Sequence, residues 1–215
     1  MTQKRNQRAL KAIRSLKARQ QKQAKQIDVL CRDMVSAHEL FSLTLARLTF
    51  ATSFYESLLG CGEVEEAIDR TLRLIGQNID QAGAAIFLVE ASDFEVHLAA
   101  SADGGQVEKA NFKTWFNRDI VHQISQTNHI CTLNDMLKMG LMAPPSSLKT
   151  LSAAAVPLGR LGLGVGFILV YRSAEHPLLA EELSRVAAIA PGLREALCAL
   201  KAAPVKSSLT PSAKP

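Results

Sequence analysis

Hydrophobic and polar positions follow a helical period over residues 3–57, where there is no Pro or Gly and where Gln, Lys, Arg, Ala and Leu, all good helix formers, are frequent. Every seventh residue picks out one seam: Ile13, Gln20, Ile27, Met34, Phe41, Leu48 and Tyr55. A companion seam reads Leu10, Lys17, Ala24, Cys31, His38, Leu45 and Thr52. The first seam is largely apolar and the second only in part. The pattern predicts one long helix that forms a coiled coil, stronger after Ala24 than before it.

Gly60-Cys61-Gly62 ends this helix. A second helix is expected over 63–79, with Glu63, Glu65 and Glu66 at its start, where the helix dipole favours acids. Its apolar positions are spaced by three and four. After a turn at 80–83, residues 84–90 read as a buried strand. Residues 94–100 alternate Phe94, Val96 and Leu98 with Glu95 and His97, giving a strand with one wet face. A loop follows at 101–105. Residues 106–119 carry no clear period. A short helix is expected over 120–127 and a short strand over 130–133. Residues 136–150, with Gly140 and Pro144-Pro145, read as a long mobile connection.

The stretch Ser152–Arg172 organises the rest. Residues 152–158 and 163–171 read as two antiparallel strands joined by a turn at Gly159–Gly162. The second strand is apolar throughout, the pattern of a strand covered on both faces. Gly164 and Gly166 project to the same face, so a helix or a ligand is expected to approach the backbone there. A final helix begins near Leu179, and Pro191-Gly192 is expected to kink or split it. The tail from Ala202 is expected to be disordered. The division is therefore a basic, dimerising helix over 1–59, an α+β domain with a central antiparallel sheet flanked by helices over 60–201, and a tail over 202–215.

Charge is unevenly placed. The net +5 of the chain conceals +8 on residues 1–35, which leaves −3 for residues 36–215. The basic arm suits nucleic acid or an acidic partner, or is a solvated helix end. It has no aromatic residue among 1–25 to stack on bases and no groove-reading motif. The four cysteines, Cys31, Cys61, Cys131 and Cys198, have no CxxC spacing and are expected to be reduced and mostly buried. No apolar run approaches the ~20 residues of a membrane span. The basic opening is not followed by an apolar signal segment, so a cytoplasmic location is expected.

Catalytic motifs are missing. No phosphate-cradling loop is followed by Lys-Ser/Thr. The glycines of 159–164 lie between two strands rather than between strand and helix, unlike a dinucleotide fingerprint. His38, His97, His122, His129 and His176 are scattered without metal-site neighbours. No nucleophile elbow is present. A non-enzymatic chain is expected.

The element order from Glu63 resembles the GAF domain family of small-molecule sensor modules. Four stretches carry the resemblance: Ala84–Val89, Ile120–Ile130, Asn134-Asp135, and Ser152–Tyr171 with the final helix. The resemblance implies a pocket on one sheet face, roofed by residues 106–119, 120–129 and 136–149. Its implied lining is Trp115, Arg118, His122, Asn128 and Asp135, with Phe112 and Phe116. The plainer readings are the aromatics as lid core, His122 as a surface or satisfied core histidine, and Arg118 paired with Asp119. Asn111, Phe112 and Lys113 are only fragments of the cyclic-nucleotide constellation, and His129-Ile130-Cys131 only echoes a bilin-attachment site. Neither cofactor is supported, so the cofactor is unknown. Three readings stay open: a non-catalytic regulatory module that dimerises through Ile27, Met34, Phe41 and Leu48 and signals to a separate partner; a scaffold without ligand; and an anion- or nucleic-acid-associated protein using residues 4–25.

Overall fold

The computed structural model describes residues 2–98, 109–160 and 163–202. The chain divides into two units, Met1–Ala46 and Arg47–Pro215. The expected loop at 101–105, the centre of the turn at 161–162 and the tail beyond 202 lie outside the described residues.

Helix α1 runs Thr2–Leu58, as the absence of Pro and Gly requires. In the first unit its described side chains are exposed, Met34 at 77% and Phe41 at 62%. In the second unit its last turns are different: Phe50 and Phe54 are buried in the core. Gly60, at φ 83°, lets the chain leave the helix in a left-handed turn. Arg70 of the next helix donates to the Ser57 carbonyl at 2.6 Å and pairs with Glu66, tying off the last carbonyls of α1.

The remaining elements are α2 (Val64–Asn78), β1 (Gly83–Val89), β2 (Phe94–Leu98), α3 (Lys109–Trp115), α4 (Arg118–Gln126), β3 (Cys131–Thr132), α5 (Leu133–Lys138), α6 (Pro145–Thr150), β4 (Leu151–Arg160), β5 (Leu163–Ser173) and α7 (Ala180–Ala202). The five strands form one antiparallel sheet in the order β2-β1-β5-β4-β3. The pairing of β4 with β5 closes at Arg160↔Leu163.

Alternation along the strands divides the core in two. On one face Ile86, Leu88, Val156, Ile168 and Val170 pack under Phe54, Ile68, Leu72, Ile75, Val186 and Leu193 from α1, α2 and α7. On the other, Phe87, Ala155, Phe167, Leu169 and Tyr171 pack under α3, α4 and α5. Both faces of β1 and β5 are thus covered, as their unbroken apolar runs require.

Several local expectations are corrected. The period-free segment 106–119 contains helix α3. The 136–150 connection is largely helical, in α5 and α6. Here a capping box operates: Thr132 accepts from the Asp135 N–H while the Asp135 carboxylate accepts from the Thr132 N–H at 3.0 Å. α7 is a single helix despite Pro191. Only Cys131 of the four cysteines is buried, while Cys31 and Cys198 are exposed. Gly164 and Gly166 meet different neighbours. A side chain on Gly164 would strike the Ser125 carbonyl at the end of α4; one on Gly166 would strike the Phe87 carbonyl of the adjacent strand.

One ion pair fastens the sheet to α7. Arg172 on β5 holds both carboxylate oxygens of Glu182, at 3.1 and 2.7 Å, and donates to the carbonyls of Asp80 and Pro177. Glu182 also accepts the Leu179 N–H at 2.7 Å, capping the helix start.

Candidate functional site

The α3–α4 face of the sheet is filled by rings. Phe87 stacks on Phe167 with centroids 4.5 Å apart and 13° between planes. Phe116 lies 4.8 Å from Phe87, and Phe112 lies 5.2 Å from Tyr171. Trp115 meets Phe112 edge-on at 5.8 Å. Phe112 and Phe116 are buried at 0% and 3% exposure and Trp115 at 8%, so the three predicted aromatics converge as packing under the roof.

The polar residues expected to line the same space do not join them. Arg118 is exposed and donates to the Ala91 carbonyl at 2.8 Å. His122 is exposed, its Nε2 3.3 Å from the Gln126 amide. Asp135 sits in the capping box of α5, where its bonds from the Thr132 hydroxyl and N–H hold its carboxyl below the usual carboxylate range. Asn117, not singled out from sequence, caps α4 by accepting from the Ile120 N–H at 2.9 Å. Asn128 is exposed in the turn after α4 and lines a cleft on the opposite, α7 side of the sheet.

That cleft has a volume of about 660 Å³. It exists because β3 is short. β3 pairs with β4 only at Cys131↔Ala155 and Thr132↔Ala154, so the outer edge of β4 is uncovered from Val156 onward. Asn128, His129 and Ile130 form one wall and Val156, Pro157 and Gly159 the floor. The other wall is α7, through Ala187, Ala190, Pro191, Arg194 and Glu195. Pro191 has no N–H, so the Ala187 carbonyl lacks its helical i+4 donor at this wall. Arg194 is half-buried, and its Nε is shut off from solvent without a hydrogen-bond partner. The sequence signal for this wall was a proline and an arginine set three apart in the final helix.

The one buried thiol, Cys131, has its pKa raised by burial, which keeps it protonated and unreactive. Among the described residues no three His, Cys, Asp or Glu side chains gather as metal ligands. Among the described residues no helix is long and apolar enough to cross a membrane.

The domain has counterparts among solved structures. The fold is that of a GAF domain. The GAF domain of a phosphoenolpyruvate-protein phosphotransferase from Coxiella burnetii matches with TM-score 0.55 at 11% identity, covering 74% of this chain and 96% of that one. The GAF domain of the Acinetobacter phosphoenolpyruvate-protein phosphotransferase matches with TM-score 0.53 at 12% identity, covering 73% and 95%. At such identities the likeness speaks to fold alone. No family model matches the sequence, and no curated protein matches it significantly.

Proposed function

We propose that this chain is a non-catalytic regulatory module that pairs with a second copy through α1 and passes its state to a separate partner protein. The observation that carries the pairing is the exposed seam of α1. The +3 companion of the first seam is better than the +4 companion considered from sequence. Together they read Ile27, Leu30, Met34, Ala37, Phe41, Thr44 and Leu48, an alternation of three and four that marks a two-stranded coiled coil. Ile27, Leu30, Met34, Phe41 and Leu48 are 58–77% exposed, more apolar area than a lone helix leaves in water without a partner. The GAF-like fold supports a regulatory role, since helices flanking such a domain can carry a change of state along their length.

The test is the mass in solution by light scattering. The full chain should run as a dimer. Replacing Met34 and Phe41 together by Glu should give a monomer whose thermal melt retains the cooperative transition of the globular unit. A wild-type monomer at 100 μM would sink the proposal.

A further inference from the structure

We propose that the cleft between α7 and the open edge of β4 binds a small amphipathic carboxylate, with its anionic end on Arg194 and its apolar body on Pro157 and Pro191. The proposal concerns the globular unit and stands whether or not the helices pair.

Arg194 is the reason for the anion. A guanidinium is always charged, and removing it from water without a counter-charge is costly. The positions three and four away along α7 are Ala190, Pro191, Leu197 and Cys198, none of which can neutralise it. Among the described residues Arg194 enters no ion pair. Arg194 lines the cleft wall, its Nε is closed to solvent and unpartnered, and an anion in the cleft would meet the terminal nitrogens of its guanidinium.

The floor is the reason for the apolar body. Pro157 and Pro191 present hydrocarbon to the cleft, over Val156 and Ala190, which are almost wholly covered. A volume of about 660 Å³ lies within the ~300–1,000 Å³ range of small-molecule sites. Glu195 borders the same space and opposes a second negative charge, so a monoanion fits better than phosphate. The Asn128 turn opposite supplies a polar rim.

Titration calorimetry with the full chain tests this, using phenylacetate, its neutral isostere phenylacetamide, and inorganic phosphate. Phenylacetate should bind with a Kd of about 1 mM or tighter. The amide and phosphate should each bind at least about tenfold more weakly, as should phenylacetate to Arg194→Gln. Backbone amide shifts in the unaltered protein should cluster at residues 128–130 and 187–195. Equal binding of the amide or of phosphate, no loss in Arg194→Gln, or shifts centred on residues 109–124 would each overturn the assignment. So would the absence of phenylacetate binding at 10 mM. Should Arg194→Gln fail to fold, the shift map on the unaltered chain decides.

Discussion

Gly159 and Gly164 face each other across the β4–β5 pair, and the Ser125 carbonyl occupies the space that a side chain on either would take. The end of α4 therefore rests on bare strand backbone. A methyl there must displace a helix terminus rather than a flexible side chain. Gly164→Ala should destabilise the globular unit by about 1–3 kcal/mol in urea unfolding. Gly76, within α2 and with nothing near its Cα, is the control: Gly76→Ala should leave stability unchanged or raise it by about 0.5–1 kcal/mol. The spacing of Gly164 and Gly166 announced a close approach but not its source, because one neighbour is a helix end and the other a strand carbonyl. Only three-dimensional packing distinguishes them.

The end of α1 belongs to two surfaces at once. Phe50 and Phe54 enter the core and Tyr55 lays its ring over Gly192 of α7, while Leu48 stays on the outer seam. Phe54→Ala should cost about 3–5 kcal/mol, because the ring is wholly buried between α2 and α7. Urea unfolding of the full chain measures this, and dimer mass should persist where the protein remains folded. Reading every seventh residue found the outer seam and missed this inner face, since two apolar faces on one helix blur its period. The long elements were otherwise plain in the sequence: β1, β4, β5, α2 and α7 carry enough residues for a pattern to repeat. Helices α3, α5 and α6 hold 7, 6 and 6 residues, under two turns each, and show no period. Thr132 and Asp135, three apart, were the one local sign of α5.

Across the whole molecule, two surface carboxylates and two buried acids shift in opposite directions. Glu66 and Asp135 have lowered pKa values, through hydrogen bonds from Gly62 and Arg70 and from Thr132 respectively. The unfolded chain binds their protons first as pH falls, so their stabilisation is present above the ordinary carboxylate range and lost below it. Cys131 and Tyr171 are shifted the other way, upward, by burial. On raising the pH the unfolded chain releases those protons first, so stability declines from about pH 8.5 upward. A thermal-melt series should show a plateau near neutrality with decline on both sides. Cys131→Val should flatten the onset of the alkaline limb. The antiparallel sheet and the aromatic roof were legible because they rest on long apolar runs and on a cluster of Phe112, Trp115 and Phe116; the strand order was not. The cleft was not, because it arises from how little of β4 the two-residue β3 covers.

That shortness has a further consequence. A strand left without a neighbour is an open template onto which another molecule's strand can zip. Here the run unpaired with β3 contains Pro157, which has no N–H to offer, and the register with β5 slips between Pro157 and Gly159. The bare margin is thus irregular and short of donors, a doorway wide enough for a small guest yet resistant to the edge-to-edge stacking that would turn a folded protein into fibre.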